Sequence, residues 1–535
     1  MPDINEKLDT SDISLLYPDA DTLRRHMLGE ENARLSHITT EQLELDYLMD
    51  LKTCDFGSFY TCDPEVILYR QDTFGDMIEN PELSHILLKM IPLLNDITEL
   101  RRMSSDSAAS TEAYLYSITE VELYTSLLDL LRDNLIPLAP KFKSTAFRRF
   151  AERINTLTGS EYYKNLNDQL KELTSRVREI KSVTIGVNFD SQLRASRAGV
   201  LSINNEYFKS GELLDFKNDE MTCIAPLIPF KKGQSDNQQN ALANAFNGAI
   251  NDVFRQSIRS WKKVIQHYVL ENTDFLIRLM PEIEFVTKAT ELLMRLKERG
   301  CPLCHPVIKP MSEKAFDAKG LCNPIVAMKL DAPVVPNDFK FDEDGMIYVL
   351  TGPNRGGKSV ITCAVGIAFV MAQLGLPVCA DSCVISPCDE IFTHFPTGSE
   401  DTIDKGRLGE ECSRLSAIFE EVTEDSLVLC DESLSSTGSF EAAYIASEVL
   451  QGFSMARCRG IFSTHLHDLA ASVDSINASC VPNGGVKIDN LVAAIEKGSR
   501  SFKILREKPD GKSYARDIAE KYGLSLDKIM TKIKK

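Results

Sequence analysis

Gly352-Pro353-Asn354-Arg355-Gly356-Gly357-Lys358-Ser359 joins a glycine-rich turn to a lysine and a hydroxyl, residue types that can hold a nucleoside triphosphate. The spacing G-x4-G-K-S is that of a phosphate-binding loop between a strand and a helix. Small residues let backbone N–H groups close around phosphate oxygens, and the following helix, opening at Val360, points its positive end at them. Lys358 would reach the β- and γ-phosphates, and Ser359 would hold a magnesium ion. A second half of such a site lies in Ser426-Leu427-Val428-Leu429-Cys430-Asp431-Glu432, an apolar run ending in two carboxylates. Asp431 would hold a magnesium-bound water, while Glu432 would orient and deprotonate the attacking water. Gly460-Ile461-Phe462-Ser463-Thr464-His465 reads as a third strand, and His465 at its end is a candidate sensor of the γ-phosphate. The expected cofactors are ATP and Mg2+, with Lys358, Glu432 and His465 as the catalytic set. The competing reading is a ligand-free turn beside an ordinary acidic one.

These residues need elements to position them. Ile347–Leu350 supplies a strand before the loop and Val360–Met371 a helix after it. Upstream, apolar residues recur at helical spacing through Leu115, Ile118, Leu123, Leu127, Leu130 and Leu131, and again from Ala249 to Tyr268. Between those stripes, Val183–Phe189 and Ala198–Ile203 read as strands, with Asp190 and the Ser-Arg-Ala-Gly stretch as the turn. Phe275–Leu296 reads as one helix kinked at Pro281, and Gln234–Asn240 as a loop.

With 535 residues the chain can form roughly three or four domains. No apolar run of about 18 residues and no basic-then-apolar start is present, so neither a membrane span nor a signal peptide is expected. The expected location is the cytoplasm, nucleoid-associated in a prokaryote. Fourteen scattered cysteines behave as small apolar residues kept reduced. Cys301-Pro302-Leu303-Cys304-His305, with Cys322 nearby, matches a haem-attachment pattern and part of a zinc set, but no second ligand pair follows at suitable spacing, and a turn is the simpler reading. Net charge is −18, yet residues 141–263 hold 20 Lys and Arg against 13 Asp and Glu, leaving −25 elsewhere. That asymmetry fits a nucleic-acid-facing middle region on an acidic engine. Arg148, Arg149, Lys262 and Lys263 are candidate DNA contacts, and a solvated helix face is their bland alternative.

The motifs together resemble the MutS family of DNA mismatch repair ATPases. TGPNRGGKS is similar to the family's TGPNxGGKS loop, with Arg355 where methionine is usual. Val335-Pro336-Asn337-Asp338 is similar to its VPND segment, Asp389-Glu390-Ile391-Phe392-Thr393 to DxIFTR, SLVLCDE to SLVLxDE, STHLHDLA to ATHxxEL, and Gly511-Lys512-Ser513-Tyr514-Ala515 to the late GxxxxSYG. These six matches run in order over about 180 residues. There are departures. Where the family carries a G-x-S-x-F signature reaching across a dimer to the partner's γ-phosphate, this chain has Lys405-Gly406-Arg407-Leu408-Gly409-Glu410-Glu411. The serine is missing, and Gly406, Arg407 and Glu411 are the candidates to act in its place. His394 stands where arginine is common, and Val334 where bacterial members place an aromatic beside the adenine. Phe56-Gly57-Ser58-Phe59-Tyr60-Thr61 looks like the family's GxFYE mismatch motif, but Thr61 replaces the glutamate, so Phe59 and Tyr60 are read as packing residues.

The resemblance implies an α-helical core and lever with a small strand-bearing clamp, followed by a C-terminal α/β P-loop domain of ABC type. The expected boundaries are a short acidic segment 1–60, a helical core and lever 61–310 with the clamp at about 141–263, and an ATPase domain 311–535. No mismatch-reading or connector domain is expected within residues 1–60, and much of a C-terminal dimerisation element is expected to be missing. The implied function is a homodimeric DNA-binding ATPase whose helical clamp responds to ATP, with duplex, mismatched or branched DNA as partner. The alternative is an ATP-switched dimeric interaction protein with little hydrolysis.

Overall fold

Strands Ile347–Thr351, Leu427–Asp431 and Arg459–Ser463 have every residue buried, the pattern of strands covered on both faces. They form the centre of a six-stranded sheet in the order Ile391–His394, Leu427–Asp431, Arg459–Ser463, Ile347–Thr351, Ile488–Glu496, Ser499–Leu505. The first five run parallel and the last is antiparallel. The computed structural model describes residues 13–30, 33–49, 56–106, 111–161, 163–168, 170–171, 181–193, 195–207, 209–210, 222–223, 274–330, 333–396, 406–496, 499–509, 524, 529–530 and 533. Among them no helix is long and apolar enough to cross a membrane.

The chain divides into two units, one of Met1–Pro81, Lys143–Ala146 and Glu284–Lys535, the other of Glu82–Phe142 and Phe147–Ile283. These divisions differ from the boundaries near residues 60 and 310 read from the sequence. In the first unit, helix Lys358–Gln373 is buried along nearly its whole length. A Cβ at its Gly366 would lie 2.7 Å from Leu429 and 3.0 Å from Leu43, so the helix presses directly on the carboxylate strand. The other face of the sheet is filled by Val349, Cys430, Phe462, Leu450, Phe453 and Leu469. A second sheet of Val307–Ile308, Ser382–Ile385, Phe316–Leu321 and Asn337–Phe341 completes this unit. Residues 33–49 pack on the first sheet of this unit: the amide of Arg34 donates to the carbonyl of Asp389 at 2.8 Å, and Thr39 Oγ1 to that of Ile391 at 2.6 Å. Tyr60 is buried, and the half-buried Phe59 packs on the Phe285 ring at 4.6 Å, both as packing residues.

The second unit is built on helices Pro81–Asp106, Thr111–Asn134 and Thr145–Gly159, with Tyr124, Leu127, Leu131, Phe147, Phe150 and Ile154 fully buried. Tyr163 donates to Asp129 Oδ1 at 3.0 Å. Its hairpin pairs Ser182–Phe189 with Ala195–Asn204 antiparallel. The expected turn is displaced: Ser196–Gly199 is strand, and the reversal occupies Asp190–Leu193, where the Leu193 amide bonds the Asp190 carbonyl at 3.0 Å and Leu193 takes φ 58°. Asp190 can cap the turn with its own carboxylate, whereas Ser196–Gly199 extends the ladder. The helix expected over Phe275–Leu296 is instead Asp274–Arg278 followed by Met280–Glu298. Pro281, lacking an N–H, sits in the first turn of the second piece rather than kinking one helix. The Ala249–Tyr268 stripe and Gln234–Asn240 lie outside the described residues.

Candidate functional site

Parallel strands deliver their C-terminal ends to one edge, where open α/β sheets place ligands. Here Thr351, Asp431 and Ser463 end adjacent strands, with Asp431 opposite Ser463 and Ser463 opposite Leu350. The loop leaves Thr351 through Gly352, whose φ is +140° and whose hypothetical Cβ would meet the Cβ of Ala493 at 2.7 Å. Only glycine satisfies both constraints. Gly357 (φ 100°) caps helix Lys358–Gln373, which carries no acidic residue in its first turn, so its N-terminal N–H groups are left for an anion.

Lys358 is the residue on which the site turns. Its side chain is 4% exposed, its ammonium donates to the Gly352 carbonyl at 3.0 Å, and it lies 4.0 Å from Glu432 Oε1. Burial pushes its pKa down, opposed by the Glu432 and Asp431 carboxylates. Asp431 is buried and its Oδ1 has no hydrogen-bond partner, and the Ser463 hydroxyl beside it is orphaned too. Buried, unpartnered polar atoms carry a cost that a bound group would relieve. Glu432 follows in the left-handed region (φ 47°), held by its amide to the Ser463 carbonyl at 2.9 Å, with its side chain 38% exposed. Such strain at a strand end aims a side chain. Ser359, Val360, Asn354 and Arg355 are exposed, Pro353 and Gly357 half-buried, and Gly356 buried. The structure thus brings Lys358, Asp431 and Glu432 together. His465 is exposed two residues beyond Ser463 and forms no hydrogen bond or ion pair with them among the described residues.

Gly406 and Arg407 open helix Gly406–Glu421 and are exposed; Glu411 is half-buried, with Oε2 buried and unpartnered. Sequence reading missed how this helix connects to the carboxylates. His394, at a strand end, bonds Ser433 Oγ through Nδ1 at 2.7 Å and the Glu411 carbonyl through Nε2 at 3.3 Å. It therefore ties the turn after Glu432 to the Gly406–Glu421 helix. Its position two residues past Phe392, in place of the usual arginine, was the only signal. Arg148 and Arg149 are exposed on helix Thr145–Gly159, while Lys262, Lys263 and Gly511–Ala515 lie outside the described residues. Among the described residues no cluster of His, Cys, Asp and Glu is arranged to hold a metal by itself, Cys301-Cys304-His305 included.

Burial, with Arg414 nearby, pushes the His394 pKa down from 6.5 to about 4. The native state then binds fewer protons than the unfolded chain in that window. Stability present above pH 6.5 is lost as pH falls toward 4, by on the order of 3 kcal/mol from this residue. Glu390 opposes it: burial raises its pKa from 4.5 to about 7, so its contribution is full below 4.5 and lost as pH rises through 7. His394→Gln, which keeps a donor for Glu411, is expected to reduce the loss of urea stability between about pH 7 and about pH 4.5. Parallel pH profiles for the two proteins would show that His394 is not buried neutral.

Residues 348–532 match the family model of MutS domain V, and residues 62–299 that of the MutS2 N-terminal domain. The chain belongs to the MutS family. It is 37% identical over 212 residues to DNA mismatch repair protein Msh6 of Gallus gallus, covering 37% of this chain and 15% of that protein. It is 24% identical over 408 residues to DNA mismatch repair protein MutS of Staphylococcus carnosus, covering 74% of this chain and 44% of that protein. The corresponding protein of Prochlorococcus marinus is 26% identical over 326 residues, covering 58% of this chain and 35% of that protein. This MutS-family chain thus spans less than half the length of these relatives. The domain V match includes the loop from Gly352 to Ser359, the Asp431-Glu432 pair and His465.

Proposed function

We propose that the chain is a DNA-dependent ATPase that works as a homodimer, its helical region acting as an ATP-responsive lever and clamp on DNA. The observation that carries this reading is the buried Lys358 facing Glu432 beside the unpartnered Oδ1 of Asp431. The donor set fits magnesium–ATP: Ser359 and Asp431 would hold the metal, and Gly352 to Val360 the phosphates. Magnesium supplies charge neutralisation between the phosphates and orders them for attack. Lys358 would exchange the Gly352 carbonyl for a phosphate oxygen, recovering the cost of its burial. Glu432, already aimed by its backbone, would accept the proton of the attacking water, and His465 would contact the γ-phosphate from the neighbouring strand. Gly406, Arg407 and Glu411 would complete the partner's site across the dimer. Arg148, Arg149, Lys262 and Lys263 would contact DNA phosphates, in a clamp at about residues 141–263. With Thr61 in place of a glutamate and Phe59 packed on Phe285, the usual mismatch-reading contact is not part of the proposal.

The second reading, an ATP-switched dimeric interaction protein, is favoured by one observation: helix Gly406–Glu421 opens without the signature serine. Steady-state phosphate release separates the two, measured alone and with homoduplex, mismatched, junction and single-stranded DNA, with Lys358→Ala as the blank. Stimulation by one DNA form, several-fold above the rate without DNA, is expected. Lys358-dependent turnover indifferent to every DNA would remove DNA as the activator, and no turnover at all would leave the switch.

A further inference from the structure

After Asp431 the chain passes through the left-handed region at Glu432, φ 47°, and again at Leu434, φ 63°, with Ser433 between them. Side chains resist that backbone, so something must hold it. His394 stands opposite Cys430 in the parallel ladder, and the chain doubles back directly after Asp431 to return Ser433 to it. There the Ser433 hydroxyl lies 2.7 Å from His394 Nδ1 and 3.0 Å from the His394 carbonyl. Both residues are buried, and Leu434 belongs to the apolar core on one face of the sheet. Glu432 is thus pinned by its own amide to the Ser463 carbonyl at 2.9 Å and, one residue later, by the serine. Its side chain leaves this frame and comes within 4.0 Å of the Lys358 ammonium.

The ring's partners fix its tautomer. The Glu411 carbonyl, 3.3 Å from Nε2, can only accept, so Nε2 carries the proton. A neutral ring then offers a lone pair at Nδ1, to which the Ser433 O–H donates. We infer that His394 is a positioning residue for the proposed hydrolysis: it accepts from Ser433 to hold the strained turn that aims Glu432 at the attacking water, and it braces its ring on helix Gly406–Glu421 through the Glu411 carbonyl. This inference rests on the reading of Glu432 as the base. His394 itself acts at one remove, through Ser433. Without the serine tie the turn relaxes toward ordinary backbone, and the carboxylate loses its line to the water. ATP binding is not lost with it, because the Lys358 ammonium is bonded to the Gly352 carbonyl, outside this turn.

Conservative variants separate the two bonds of the ring. His394→Asn places an amide oxygen near the Nδ1 position and keeps the acceptor for Ser433, whereas His394→Gln places an amide N–H near Nε2 and keeps the donor for Glu411. Single-turnover phosphate release and fluorescent-nucleotide binding are measured on the full chain with magnesium–ATP, with Lys358→Ala as the blank. His394→Gln and Ser433→Ala are each expected to slow release by about 10-fold or more at unchanged ATP affinity, within the ~100-fold that a misplacement of about 1 Å can cost. His394→Asn is expected to recover most of the rate that His394→Gln loses. Combining His394→Gln with Ser433→Ala is expected to add little to either, because both cut the same bond. Ser433→Ala removes a single oxygen and keeps the test standing if a His394 variant fails to fold. Release from Ser433→Ala at the wild-type rate, or a rate kept by His394→Gln and lost by His394→Asn, would overturn the inference and leave Glu432 as the base. Absence of Lys358-dependent release from the wild type would overturn it together with the ATPase reading, so the two failures are distinct.

Discussion

Glu432→Gln is expected to bind ATP as the wild type does and to release phosphate at least ~100-fold more slowly, the scale of removing a general base. The substitution is chosen because the backbone already fixes this position. The left-handed φ of 47° and the amide bond to the Ser463 carbonyl are unchanged by it, and glutamine keeps the shape of the side chain. What disappears is the carboxylate that accepts a proton and that lies 4.0 Å from the Lys358 ammonium. Removing a negative charge beside the phosphates is expected to leave ATP affinity equal or tighter. Single-turnover phosphate release and fluorescent-nucleotide binding, measured side by side, separate the two effects. Equal release rates would sink the base role and, with binding retained, shift the reading to the ATP-switched dimer. A loss of binding together with release would mean that Glu432 organises the pocket rather than the water.

Part of this site was legible locally. Gly352 and Gly357 announce backbone conformations that other residues resist, and the structure puts them at φ 140° and 100°. The apolar runs before the loop and before Asp431 are long enough for buried strands and flanked by turn residues, so strand, loop and helix could be read in order. The rest depends on contacts between residues far apart in the chain, to which periodicity is blind. Residues 1–60 read only as a short acidic segment, and nothing local shows that Leu15 and Leu16 are fully buried or that the Leu16 carbonyl accepts from Arg70 Nε at 3.1 Å. Gln373 gave no signal within its helix. It bonds the carbonyls of Thr61 and Cys388 at 3.0 and 2.8 Å, joining the loop helix to segments over 300 residues away and only 15 away. The cysteines near residue 301 suggested a ligand set by their spacing alone. Cys304 is instead tied through its backbone to Val378, beyond the loop helix, and nothing in the spacing of Cys301 and Cys304 points to it.

Lys358→Met is expected to keep the fold and to abolish stabilisation by ATP. In the absence of nucleotide the lysine is an expense: its side chain is 4% exposed, with one carbonyl at 3.0 Å and one carboxylate at 4.0 Å as compensation. Replacing a whole buried ion pair with apolar groups of similar size is often neutral or stabilising by about 1–4 kcal/mol. The cost of removing one partner alone is reduced here because Glu432, left behind, is 38% exposed and open to water. Methionine preserves the aliphatic stem, so the melting temperature of the protein alone is expected to hold or rise. With ATP the balance reverses. A ligand at about 100 times its dissociation constant stabilises the native state by about 2.7 kcal/mol, and that shift is expected in the wild type and not in the variant. Thermal melts with and without magnesium–ATP therefore give two signs from one substitution. An ATP-dependent shift that persists in Lys358→Met would mean that nucleotide binds elsewhere. A variant that melts far below the wild type without nucleotide would make Lys358 a structural ion held by Gly352 and Glu432. Neutral or higher stability coupled to complete loss of the ATP shift is the combination that a buried charge kept for a phosphate produces, and a structural lysine does not.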